Sequence, residues 1–507
     1  MLNQMLDKTA SSYPDNDAVV CGESRLTYQA LREIVLRLAN GLGSLGISES
    51  DCIALVLPNC PEFLISFFAV SRLHAIALLL NPSFKESELN HYIEDSQTKL
   101  IITDAARAET CQALIDKSDR QIKLVVVGNN PPCGVAFEDV VRGASTEDPS
   151  TDSYEGAVLY QYTSGSTGKP KRVSRTQVNV FSQARSCVET LGVTMEDSIF
   201  CSVPMYHAYG FGECLLAATC SGAKLVILEP YSKDGVVSEI PFVFRRPRVL
   251  ELIKTEKISI LPSVPYVYSI LASTPPDPTI DLSTLRLCIS AGNFLAKDIF
   301  DKFLLRFGLP IRQLYGCTEA GSVAINMEAS PEHRYDSVGQ PMQDVEIKVM
   351  GDDGNEAQPG VTGELAIKSN TLTQGYHDAP EVNKEVFREG HYFTSDLGTK
   401  DKDGYIFITG RKKIFIDTGG HKVDPFEIEN LLATHPNVKE VVVVGTKRPY
   451  AGEVIKAVVV AEGECEESSI ISYCQDKLAD FKTPRIVEFR DEIPKSALGK
   501  ILRKDLI

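Results

Sequence analysis

Between Tyr162 and Lys171 the chain reads YTSGSTGKPK. Gly165 and Gly168 permit backbone shapes that other residues resist, so successive N–H groups can turn toward one anion. Thr163, Ser164, Ser166 and Thr167 add hydroxyl donors, and Lys169 and Lys171 add positive charge. Such a stretch suits a polyphosphate; taken by itself it also suits a polar surface turn. It is not a Walker A loop, which needs four residues between its first glycine and Gly-Lys, then Ser or Thr. Only Ser166 and Thr167 separate the two glycines, and Pro170 keeps a helix from starting directly after Lys169.

Other stretches carry chemistry of their own. Tyr315-Gly316-Cys317-Thr318-Glu319 offers an aromatic face for a base, a hydroxyl for a phosphate and a carboxylate for Mg²⁺; a turn with a solvated glutamate is the plain alternative. Ala291-Gly292-Asn293 is a tight turn that a flat ring can approach. Asp396, within Tyr392-Phe393-Thr394-Ser395-Asp396-Leu397-Gly398, suits the two hydroxyls of a ribose, or an ordinary Asx-turn. Tyr206, His207, Tyr209 and Phe211 set one histidine among aromatics. That pattern is more often a packed core; its functional reading is an apolar acid pocket, with Tyr266 on a second wall. Near the end, Gly499 presents Lys500, a position where lysines are usually solvated.

These residues need elements to hold them. Strand-like runs (Cys52–Leu57, Ala75–Leu80, Leu100–Thr103, Lys123–Val127) alternate with amphipathic helical patterns such as Leu26–Leu45, which implies a parallel α/β sheet. Val178–Leu191 reads as a helix, and Leu285–Ser290 and Ile311–Leu314 as strands whose ends carry the ligand motifs. Residues 337–409 read as a small β-rich subdomain of short alternating segments and Gly/Pro/Asp turns. Beyond Lys412-Lys413, Asp424-Pro425 is a clean helix start. Residues 412–507 thus form an α+β domain of their own, hinged near Lys413, behind an N-terminal α/β core of residues 1–411.

Composition narrows the function classes. The chain has 507 residues and a formal net charge of −16, which argues against a nucleic-acid partner. Its 13 cysteines include no CxxC pair, so free thiols in a reducing, cytoplasmic setting are expected. The N-terminus shows no apolar core of a secretory signal. Phe63–Leu80 is the most apolar stretch, but Arg72 and His74 interrupt it, so it reads as a buried helix and strand rather than a membrane span.

Taken in order, YTSGSTGKPK, YGCTE, the Asp396 turn, Gly410-Arg411 and the final Gly499-Lys500 resemble the adenylate-forming enzyme superfamily of acyl- and aryl-CoA synthetases, peptide-synthetase adenylation domains and luciferases, from roughly Ala10 onward. The resemblance implies two half-reactions: a carboxylic acid and MgATP give an acyl-adenylate and pyrophosphate, then a thiol displaces AMP. It implies that residues 163–171 hold the β- and γ-phosphates. It places Tyr315, Gly316, Gly292 and Asn293 around the adenine, Thr318 at the α-phosphate, Glu319 on Mg²⁺, and Asp396 and Arg411 on the ribose. Lys500 bridges the attacking carboxylate and the α-phosphate, and Lys500, Thr318, Glu319 and His207 form the catalytic set. Lys413 matches the hinge, and Gly419-Gly420 the thiol tunnel. Coenzyme A is the expected acceptor, with a carrier-protein phosphopantetheine as the alternative and a luciferase-type oxygenase far behind.

Ala208 stands where amino-acid-activating members carry an anchoring Asp, which disfavours an amino acid and, with the aromatics, points to an apolar fatty or aromatic acid. Two residues depart from the superfamily pattern. Ser395 stands where many members have glycine, which is tolerable if the backbone there needs no positive φ. Gly419 stands where many carry lysine or serine.

Overall fold

The computed structural model describes residues 2–128, 130–149, 154–163, 170–233, 236–238, 242–275, 280–293, 295–411, 415–448, 452–494, 501 and 503–507. They form two compact units. One comprises Met1–Pro82, Ser96–Gln161 and Val173–Gly410; the other Ser83–Asp95, Tyr162–Arg172 and Arg411–Ile507.

The first unit is built on parallel strands. One seven-stranded sheet runs, in spatial order, Val135–Ala136, Lys123–Val127, Leu100–Asp104, Cys52–Val56, Ile76–Leu79, Ala157–Thr163 and Lys171–Thr176. Its central strands Cys52–Val56 and Ile76–Leu79 are buried at every residue. Such continuous burial is why they read as unbroken apolar runs rather than alternating ones. The helix Pro61–Arg72 links them, and the charge that interrupts this apolar stretch is itself internal. Arg72 is 1% exposed and pairs with Asp7 at 2.6 Å and with Asp148. Among the described residues no helix is long and apolar enough to cross a membrane.

A nine-stranded sheet carries most of the motif-bearing turns. Strands Asp17–Cys21, Lys224–Ile227, Ser198–Cys201, Ile260–Ser263, Leu287–Ser290 and Ile311–Cys317 are parallel neighbours. Their carboxyl ends lead into residues 204–211, 264–268, 291–293 and 318–319, so the parallel register delivers these segments to one edge. Ile311–Cys317 then folds back antiparallel onto Gly321–Ile325, a hairpin whose tip is Thr318-Glu319-Ala320. The apolar run predicted to end at Leu314 thus continues as strand through Cys317. A hairpin partner satisfies the backbone of Tyr315 and Gly316, residues whose types alone read as a turn.

The β-rich part is a five-stranded sheet from Val345–Met350, Gly363–Ser369, Phe387–Arg388, His391–Lys400 and Ile406–Arg411, the first four paired antiparallel. In the second unit, Val438–Arg448 and Gly452–Ala461 form a long hairpin, and Ile486–Phe489 adds a parallel edge. The helix Pro425–Leu432 is capped by Asp424, whose carboxylate accepts from Phe426 N at 2.9 Å. Lys482, 6% exposed, sits between Glu88 at 2.7 Å and Glu427 at 2.8 Å. Burial works against its charge, but the two carboxylates outweigh it and hold the ammonium protonated.

Candidate active site

The hairpin tip and the β-rich sheet build one polar corner. On strand His391–Lys400 the period of two sends Tyr392 and Thr394 inward, and both are buried. Asp396, next in that series, accepts the hydroxyl of Tyr315 on Oδ2 at 2.6 Å. Its own N–H donates to Thr394 Oγ1 at 3.0 Å, while that hydroxyl donates to Leu365 O at 3.1 Å. Burial, then the charge of Asp396, push the Tyr315 phenol well above its ordinary range, so it stays a donor.

Ser395 departs from the expectation. Its φ is +65°, the left-handed region that costs a non-glycine residue about 1 kcal/mol. The Glu364 carboxylate accepts its N–H at 2.9 Å, which ties down a turn that serine disfavours.

Glu319 lies at the hairpin tip, 5% exposed. Its Oε1 accepts the hydroxyl of Tyr376 at 2.5 Å, and Tyr376 in turn lies 3.1 Å from the hydroxyl of Tyr392. Gly316 is required by packing: a Cβ there would come within 2.6 Å of Gly321 O. Gly292 has φ +86°, and a Cβ there would meet no atom closer than 4.0 Å, so this glycine keeps an open backbone face. Asn293 beside it is exposed. Thr318 is half-buried, and Thr163 and Lys171, also half-buried, end and begin the strands that flank the glycine-rich loop.

Ser164, Gly165, Ser166, Thr167, Gly168, Lys169, Lys413 and Lys500 lie outside the described residues. Arg411 closes strand Ile406–Arg411. Gly419 and Gly420, φ +67° and +98°, form the two-residue turn between Ile416–Thr418 and His421–Val423. A turn with two positive φ values favours glycine at both places, and Gly420 N donates to Asp417 Oδ1 at 2.7 Å.

The aromatics expected to line an acid pocket disperse. His207 is exposed and caps a short helix, its Nδ1 accepting from Tyr209 N at 3.3 Å. Tyr209 is buried; its hydroxyl donates to Ile289 O at 3.0 Å and accepts from Ser263 N at 3.1 Å, tying two strand ends together. Phe211 is fully buried and meets Phe67 edge-on at 4.8 Å. Tyr206 is half-buried, its carbonyl accepting from Gln161 Nε2 at 3.1 Å, and Tyr266 is 44% exposed.

Nothing in the sequence singles out Tyr376 or Glu364, and the motif around Asp396 gives Tyr392 no role of its own. Only for Tyr392 is a signal available: it shares the parity of Thr394 and Asp396.

A cation beside phosphate needs hard oxygen ligands, and Mg²⁺ commonly takes one or two from protein and the rest from phosphate and water. Among the described residues no group of three or more His, Cys, Asp or Glu gathers as a metal cage. The buried carboxylate of Glu319 fits the role of one protein ligand with phosphate and water supplying the rest.

Comparison with known proteins bears on this geometry. The family model for the AMP-binding enzyme matches residues 6–377, and that for the AMP-binding enzyme C-terminal domain matches residues 427–500. The chain is 32% identical to an oxalate–CoA ligase of Arabidopsis thaliana, over 99% of this chain and 97% of that one. It is 29% identical to an indoleacetate–CoA ligase of Aromatoleum aromaticum, over 100% and 97%. Among solved structures, a fatty acyl CoA synthetase of Mycobacterium tuberculosis aligns with a TM-score of 0.73 at 28% identity, covering 100% of this chain and 97% of that one.

Proposed function

This chain belongs to the AMP-binding enzyme family, and on that premise we propose that it joins a carboxylic acid to the thiol of coenzyme A through an acyl-adenylate. A carboxylate oxygen attacks the α-phosphorus of ATP, the bond to the β-phosphate breaks, and pyrophosphate leaves. The thiol sulfur then attacks the acyl carbon, its proton passes to solvent, and AMP leaves.

One observation carries the reading. The Tyr315–Asp396 hydrogen bond of 2.6 Å brings an aromatic face and a carboxylate together at the end of a parallel strand, with Glu319 at the tip of the same hairpin. Tyr315 stacks on the base, Asp396 takes the ribose hydroxyls with Arg411, and Thr318 donates to the α-phosphate. Gly292, Asn293 and Gly316 complete the adenine cleft. Residues 163–171 cradle the β- and γ-phosphates. Glu319 would hold Mg²⁺, which when bound offsets phosphate charge. Two anions repel strongly in a dry site, so Lys500 is assigned to bridge the acid and the α-phosphate. Residues 412–507, hinged at Lys413, carry that lysine, and Gly419-Gly420 borders the thiol path.

The acid is apolar, fatty or aromatic. Ala208 supplies no charge to an ammonium group, and the half-buried Tyr206 and exposed His207 and Tyr266 offer aromatic surface to it. Pyrophosphate exchange into ATP across fatty, aromatic, amino and dicarboxylic acids tests both halves of the reading. Exchange with fatty or aromatic acids supports it, and no exchange with any acid overturns it. Thioester formation with free coenzyme A, against a holo carrier protein, decides the acceptor.

A further inference from the structure

Glu319 is gripped at both ends by one short segment. Its carbonyl accepts the N–H of Thr373 at 2.8 Å, and its carboxylate accepts the hydroxyl of Tyr376. The same segment holds the strand that leaves the glycine-rich loop: Thr373 Oγ1 donates to Ser174 O at 2.6 Å, and the backbone of Tyr376 bridges that of Val173. Thr371 Oγ1 donates to Ala320 O at 2.6 Å, next along the hairpin tip. Residues 371–376 are therefore a strap laid across the hairpin tip and the strand that follows the glycine-rich loop.

The direction of the hydroxyl chain follows from counting protons. A phenol has one to give. Tyr376 gives its proton to a carboxylate that can only accept, so Tyr392 donates to the Tyr376 oxygen. A carboxylate has about four acceptor sites. Fixing one on Oε1 fixes the plane of the group and the direction of the others.

We propose that Tyr376, backed by Tyr392, is a positioning residue that aims the Glu319 carboxylate at the cation accompanying the nucleotide phosphates. This rests on the function proposed above. Groups that orient a metal ligand typically govern 10- to 100-fold of metal affinity, whereas a phenol that only fills space does not distinguish a metal-bearing ligand from a metal-free one.

The test is calorimetric titration of the full chain with MgATP, and separately with AMP in the presence of chelator. For Tyr376→Phe, MgATP binding weakens by about 10-fold and AMP binding is unchanged. Tyr392→Phe moves the same way by less. In a Glu319→Gln background the effect of Tyr376→Phe disappears. Equal weakening for both ligands, no weakening for either, or an undiminished effect in the Glu319→Gln background overturns the inference. Should Tyr376→Phe not fold, Tyr392→Phe and the same cycle with Glu319→Gln carry the decision. Wild-type protein that binds no MgATP would instead bring down the proposed function.

Discussion

The corner around Asp396 and Glu319 and the segment Tyr206–Phe211 both carry tyrosines and arrange their side chains differently. At Tyr315, Asp396, Glu319, Tyr376 and Tyr392 the phenols and carboxylates turn toward one another and link residues far apart in the chain. At Tyr206, His207, Tyr209 and Phe211, neighbours in sequence turn apart: Tyr209 and Phe211 into the core, where only the tyrosine is tied to distant strand ends, and His207 toward solvent; Tyr266, on a separate helix, is also exposed. The cause is the requirement that a buried polar group find a partner. A phenol that enters an interior is held to a few acceptors, and its position is fixed by them. A phenyl ring satisfies the same interior wherever volume permits.

The strongest way to break this contrast is Phe211→Ala. If the ring is core, truncation costs about 3–5 kcal/mol of stability, read by denaturant unfolding. A loss near zero with altered acid preference would instead make Phe211 a pocket residue and restore a common design to both regions.

Glu213, two residues on, is a buried carboxyl in the same segment. It is 1% exposed, in a π-helical turn, Phe211–Leu216, and the Ser322 hydroxyl and the Cys187 thiol face its carboxyl. Burial pushes its carboxyl up to about 8, against the partial opposition of the Ser322 hydroxyl and then the Arg175 guanidinium; Tyr209, Cys187 and Cys214 also face it. The folded state therefore keeps a proton that the unfolded state releases. Its contribution is most favourable below the ordinary carboxylate range and declines as pH rises toward about 8. Unfolding measured from pH 5 to 8.5 should show a decline of about 2–4 kcal/mol that Glu213→Gln removes. The same slope in both proteins would mean that Glu213 is ionised and paired.

On the proposed ribose role of Asp396, Asp396→Ala should lower kcat/KM for ATP in pyrophosphate exchange by on the order of 100-fold, because two hydrogen bonds to a charged group would be lost. KM for the acid should hold steady. A comparable rise in acid KM would show that the two regions are not separable. The smallest effect concerns Ser395. Glycine there relieves the left-handed backbone, and Ser395→Gly should raise stability by about 1 kcal/mol or less, since glycine also loosens the unfolded chain. Destabilisation instead would mean that the Glu364 contact, rather than φ, governs this turn.

Much of the scaffold is legible in the sequence. Lys123–Val127 appears where its apolar run lies, and Gln177–Leu191 begins one residue before the predicted helix. Asp424 caps its helix as its type and the following proline require. What escapes the sequence is long-range. The return strand Gly321–Ile325 stays hidden because Tyr315 and Gly316 resemble a turn until a partner strand is supplied. Tyr376 stays hidden because it lies 57 residues from the glutamate it contacts, and nothing local marks a tyrosine as partnered.

Sequence alone determined which kinds of atom this protein possesses and in what order: the glycines and hydroxyls of residues 162–171, the YGCTE pentad, one aspartate among small residues, and strand periods that deliver them to sheet edges. Those are properties of local propensity and of side-chain period, which act over a few residues. The tertiary structure decided which phenol meets which carboxylate, that Ser395 bears a left-handed backbone, and that Phe211 is interior. Those outcomes depend on desolvation and on excluded volume, which are set only when segments far apart in the chain close on one another.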